Sequence, residues 1–126
     1  MIDHLGINCA DLEASKAFYD GVLGVLGYGR IMDFGEVVGY GGKDGKPDFW
    51  IGHYAGQPET QRELHLAFEA PGKHAVDAFH AKAIELGAES LHEPRLRPEY
   101  HPGYYGAFVR DPDGNNVEAV IHDASG

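Results

Sequence analysis

The sequence predicts an α+β fold built from two tandem βαβββ modules. Two observations carry that prediction: the chain repeats itself, and each copy shows the same succession of strand-like and helical patterns. His4-Leu5-Gly6-Ile7-Asn8 and His65-Leu66-Ala67-Phe68-Glu69 are similar alternating segments, 61 residues apart. At the same offset Ala14, Ala17 and Phe18 return as Ala75, Ala78 and Phe79, and further on Leu26-Gly27 returns as Leu86-Gly87. By Asp44-Gly45 and Asp113-Gly114 the offset has grown to 69, as loop insertions would make it. The units span 1–56 and 61–126, joined near Gln57-Pro58-Glu59-Thr60, and 126 residues suit one domain made of both.

The elements follow in order. Residues 4–9 alternate as a half-buried strand does. Asp11 can cap a helix that aligns Ala14, Phe18 and Val22 on one face and stops around Gly24. Three strand-like runs come next, near Tyr28–Asp33, Glu36–Gly41 and Asp48–His53. The second copy opens with the strand at His65. Its helix carries Val76, Phe79, Ala83 and Leu86 at helical spacing, and Gly87 stands where a left-handed cap is wanted. Its strands fall near Ser90–His92, Gly106–Arg110 and Asn116–His122. Asp44-Gly45 and Asp113-Gly114 read as hairpin turns.

Composition narrows the function. A net charge of −10, with ten Lys and Arg that form no basic stripe, argues against nucleic acid. No apolar run approaches the roughly 20 residues of a membrane helix, and Met1-Ile2-Asp3-His4 does not resemble a secretory signal. A lone cysteine, Cys9, excludes an internal disulfide and a multi-cysteine zinc site, and its parity makes it a core residue rather than a nucleophile. A cytoplasmic protein is the expectation.

Strand parity assigns the histidines. With Leu5, Ile7 and Cys9 packed on the helix, His4, Gly6 and Asn8 take the other face; His65, Ala67 and Glu69 do the same in the second copy. The last strand places Glu118, Val120 and His122 together. If the two sheets curve toward each other, His4, His65 and Glu118 can converge, and two imidazoles with a carboxylate suffice to hold a divalent metal with open positions.

These residues resemble the vicinal oxygen chelate superfamily, which includes glyoxalase I, fosfomycin-resistance enzymes, extradiol dioxygenases and bleomycin-binding proteins. The resemblance rests on an opening signature, His4 to Tyr19 followed by Val22-Leu23-Gly24, and on a closing one, Ala107-Phe108-Val109-Arg110-Asp111-Pro112-Asp113-Gly114-Asn115-Asn116-Val117-Glu118. It implies a glyoxalase-like fold, with curved mixed sheets around a U-shaped cleft, and metal ligands at His4, His65 and Glu118. The ion would be Fe, Mn, Ni or Zn. Glyoxalase I type enzymes use a fourth ligand; the repeat offset sets Phe49 opposite Glu118, and neither Phe49 nor Trp50 can bind metal. The remaining set resembles the 2-His-1-carboxylate triad of extradiol dioxygenases.

The remaining cleft residues are read from parity and composition. Phe49, Ile51 and His53 share a face, and His53 and His122 are equivalent across the repeat, so Phe49, His53 and His122 are candidate substrate contacts. Trp50, of opposite parity, is expected in the core or an interface. The segment from Arg95 to Gly106 supplies Arg95, Arg97 and Tyr100 as substrate-binding candidates. It also supplies Tyr104, Tyr105 and His101 as groups that could move protons. His74 and His80, among charged neighbours on the second helix, read as solvated. The expected protein is a homodimeric, metal-dependent lyase or isomerase of the glyoxalase-like kind, acting on a small molecule through two neighbouring oxygens. Ring-cleaving dioxygenation and non-catalytic binding of the bleomycin-resistance type are the alternatives.

Overall fold

The structure, a computed structural model, describes residues 1–53 and 62–124. Its order is β1 (Leu5–Cys9), α1 (Leu12–Leu26), β2 (Gly29–Asp33), β3 (Val37–Gly41) and β4 (Phe49–His53). The second half repeats it as β5 (His65–Glu69), α2 (Lys73–Glu85), β6 (Ser90–Leu96), β7 (Tyr105–Arg110) and β8 (Asn116–Ile121). Two tandem βαβββ modules therefore form two mixed, unclosed sheets, ordered β1-β4-β3-β2 and β5-β8-β7-β6, each with one parallel pair at its β1 or β5 edge. The joining segment at Gln57–Thr60 lies outside the described residues.

The first helix forms as its sequence dictates. The Asp11 side chain accepts a bond from the Ala14 amide, and the buried face runs Leu12, Ser15, Phe18, Tyr19, Val22, Leu23 and Leu26. It passes through Gly24 and closes only at Gly27, whose φ of 96° is the left-handed cap. Gly24 costs about 1 kcal/mol against alanine there, and burial of Leu26 two residues on outweighs it. Gly87, φ 91°, closes the second helix as expected. Strand β6 runs four residues beyond the reading, to Leu96, across two bulges.

The two helices pack on each other, and a buried carboxylate ties the modules together. Asp111, 5% exposed, accepts from the Tyr19 hydroxyl of α1 at 2.6 Å and from Asn115 Nδ2 at 3.0 Å. It also takes the Asp113 and Asn115 amides at 2.9 Å each. In the same turn Asp113 accepts the Ala10 amide at 3.0 Å, and Asn115 Oδ1 accepts the Leu64 amide at 3.0 Å. The Asp-Pro-Asp-Gly-Asn signature is thus a clamp between modules, built from side chains that cap backbone donors.

Cys9 is fully buried on the helix-facing side, and burial pushes its thiol up to about 11. We expect native protein to consume no thiol reagent at about pH 8 and to react fully once unfolded. Fast reaction of the native protein would contradict this placement. Among the described residues, no helix is long and apolar enough to cross a membrane.

Candidate active site

The register of each sheet decides which side chains share a face. In the second sheet Ala67 pairs with Glu118 and Glu118 with Phe108, so these three lie on the face away from α2, alongside His65 and Gly106. Their neighbours Leu66, Ala107, Val109, Val117 and Ala119 are buried on the helix-facing side.

Glu118 is the centre of the arrangement. It is 1% exposed, yet both oxygens are engaged: His65 Nε2 lies 3.0 Å from Oε1, and the Tyr104 hydroxyl donates to Oε2. A carboxylate out of water needs such partners. Gly106 makes the Tyr104 contact possible, since a Cβ there would sit 3.1 Å from Glu118 Oε2 and 3.2 Å from Tyr104 Cε1. Burial, then the bond to Glu118, holds the Tyr104 phenol well above the usual tyrosine range, so it is a donor at neutral pH.

Around this core stand more of the expected groups. His101 Nε2 meets His122 Nδ1 at 3.0 Å, its Nδ1 donates to Pro102 O at 2.7 Å, and both imidazoles stand edge-on to Tyr104. Tyr100, largely exposed, also packs edge-on to Tyr104 at 4.9 Å. Arg97 is 4% exposed and lies over the Phe108 ring at 4.7 Å, whereas Arg95 is exposed and paired with Glu99 at 2.9 Å.

Other expectations are corrected. Phe49 does not face the site: the parallel register sets it beside Leu5 and Ile51 beside Ile7, on the helix-facing side. There Phe49, 5% exposed, packs on Tyr19 and Phe68. Trp50, paired with Gly6 and Gly39, is the register mate of Glu118 and occupies the face away from α1, stacked on the exposed Phe34. No fourth metal ligand results, because indole cannot serve. Tyr105 points to the helix side and donates to Asp77 of α2 at 2.6 Å, which leaves Tyr104 as the tyrosine of the site. His53 lies at the exposed end of β4, in the other sheet from His122. His80 is partly exposed, and its Nε2 lies 2.7 Å from Ser90 Oγ.

The structure brings His65 and Glu118 together and leaves His4 apart. His4 is exposed on the first module, where Nδ1 meets Asp3 at 2.8 Å. Among the described residues of one chain, no three His, Cys, Asp or Glu side chains gather as a metal group. Two residues were not foreseen: Phe108, stacked on His65 at 6.0 Å, and His92, edge-on to Phe108 at 5.4 Å. The signal for Phe108 was available, since it falls opposite Glu118 across the hairpin at Asp113-Gly114.

Residues 1–119 match the Glyoxalase/Bleomycin resistance protein/Dioxygenase superfamily, and the chain belongs to it. A crystallised glyoxalase/bleomycin resistance protein from Albidiferax ferrireducens T118 is 32% identical, with a TM-score of 0.76 over 93% of this chain and 95% of that one. The uncharacterized protein YqjT of Bacillus subtilis is 29% identical over 93% of this chain and 95% of its own length. Lactoylglutathione lyase from Agrobacterium tumefaciens, 22% identical, shares the fold at a TM-score of 0.65 over 93% of this chain and 90% of that one.

Proposed function

We propose that the chain, its modules 1–56 and 61–126 working as one domain, is a metal-dependent enzyme for a small molecule with two neighbouring oxygens. The reaction class is that of a glyoxalase-like lyase or isomerase. One observation supports this above the others: a buried glutamate bonded at once to a histidine and a tyrosine, on the sheet face away from α2.

The donor set fits a divalent ion in its chemistry. Imidazole and carboxylate together suit Fe, Mn, Ni or Zn, and His65 Nε2 and Glu118 Oε1 already meet at 3.0 Å. His4, the repeat mate of His65, would be the third ligand and would come from a second copy in a homodimer. A bound ion would stabilise an enolate or related oxyanion as a Lewis acid. The protein's own groups would do the rest. Tyr104, protonated at neutral pH, donates to a substrate oxygen or to Glu118, and the His101–His122 pair behind it can take up or return a proton. Tyr100 and His122 would border the ligand, and His53 would reach it only from the first module. Iron in the site would favour ring-cleaving dioxygenation instead.

A non-catalytic binding protein is the second reading, favoured because, among the described residues, no three candidate ligands gather in one chain. The test is metal content and solution mass of protein purified without chelator or histidine tag. Near-stoichiometric metal in a dimer is expected. Metal-free protein that takes up none of Mn²⁺, Fe²⁺, Ni²⁺ or Zn²⁺ overturns the enzyme reading in favour of the second.

A further inference from the structure

Arg97 carries a charge that the described residues satisfy only in part, through one long ion pair to Glu99. It is 4% exposed, and its Nε and Nη2 are buried with no hydrogen-bond partner. The nearest carboxylate oxygen, on Glu99, stands 3.7 Å from Nη1, and Glu99 is already committed to Arg95 at 2.9 Å. Two guanidinium N–H groups held out of water without hydrogen bonds are unfavourable, and the group stays ionised in proteins. Stacking on the Phe108 ring offsets part of that cost and fixes the plane of the fork, but it satisfies no N–H.

Its position says what would satisfy it. Phe108, 6% exposed, carries Arg97 over its ring at 4.7 Å and His65 stacked beside it at 6.0 Å, so one buried ring separates the guanidinium from the His65–Glu118 pair. A cavity of about 320 Å³ opens at the Arg97 end, lined by Leu91, His92, Glu93, Pro94, Arg95 and Arg97. That volume accepts a small acid. The chain as a whole repels anions at a net charge of −10, so an anion bound here must be held by local geometry.

We propose that Arg97 receives an anionic oxygen group of the ligand, a carboxylate or a phosphate, from the cavity at its own end, with the buried Phe108 ring standing between it and the His65–Glu118 pair. The substrate of the site is then an acid rather than a neutral dicarbonyl. This rests on the reading of the His65–Glu118 face as the substrate site and adds the charge of what it takes.

The test compares two probes of nearly equal shape, pyruvate and its neutral amide, pyruvamide. Their binding to chelator-treated full-length protein is followed by ligand-observed NMR. Pyruvate should bind at least about tenfold more tightly, the Arg97→Met variant should bring the two within about twofold, and Arg97→Lys should lie between. Competition by inorganic phosphate identifies a general anion group; its failure to compete identifies a carboxylate. Equal binding of the two probes by wild type overturns the proposal, as does undetectable pyruvate binding. Both readouts stand even if Arg97→Met fails to fold. Undiminished pyruvate preference in a folded Arg97→Met protein also overturns it. So does absence of preference combined with loss of dimer in that variant, which would assign Arg97 to a carboxylate of a second copy. Because the probes are read without metal, the two readings fail separately: metal-free protein that still prefers pyruvate keeps the anion site and loses the metal reading.

Discussion

Replacing Glu118 by glutamine is expected to weaken divalent-metal binding by at least about a hundredfold while leaving the protein folded. Loss of a supporting residue around a metal typically costs ten- to a hundredfold, and a direct ligand should exceed that. The conservative change matters because Glu118 is 1% exposed, and truncation would open a cavity whose effects mask the chemistry. A glutamine carbonyl still accepts from Tyr104 and its amide can face the unprotonated nitrogen of His65, so stability should fall by less than about 2 kcal/mol. What disappears is the negative charge. His65→Ala should lose metal to a similar degree at smaller cost in stability, since that side chain is 52% exposed. Competition against a chromophoric chelator, with a melting curve for each variant, measures both. Wild-type affinity in folded Glu118→Gln protein would remove Glu118 from the ligand set.

Asp111→Ala should be the most destabilising single change in the chain, by about 3–5 kcal/mol. Its carboxylate is buried and takes four hydrogen bonds, two from side chains and two from amides of its own turn. Alanine would leave the Tyr19 hydroxyl and the Asn115 amide without their acceptor, in a site that water does not reach. A domain of this size holds only about 5–15 kcal/mol in total, so the loss is a large fraction. Asp111→Asn should fall between, because an amide keeps one acceptor and places a donor where Asn115 also donates. Equilibrium urea unfolding gives the number, and a loss below about 1 kcal/mol would show that the clamp is not what joins the modules.

The sequence made each module legible because period-two alternation is local. Burial of Leu66 and Val117 on one side forces His65 and Glu118 to the other, and no long-range information is needed. The one-residue slip at Phe49 shows the limit of that method. A repeat offset carried across an insertion of unknown length errs by one, and one residue reverses every side chain. Trp50 and Phe49 changed places for that reason, and Tyr104 could be told from Tyr105 only once the start of β7 was known. His92 was hidden because β6 contains Pro94 and two register shifts, which break the alternation that would have placed it. The placement of His4 depends on how α1 docks on α2 and on the contacts of Asp111, which no local pattern encodes.

The loop between β6 and β7 is closed at its base, where the Arg97 amide donates to Tyr104 O at 2.7 Å. Its two stems thus deliver the buried cation against Phe108 and the phenol against Glu118. The tip is tied down as well: His101 meets His122 at 3.0 Å, and a Cβ on Gly103, φ 89°, would stand 2.8 Å from the His122 carbonyl. An insertion in this loop must therefore keep two spacings at once, Arg97 to Tyr104 and His101 to His122. Ligand range and proton handling are inherited together, because one short stretch of chain holds the groups for both.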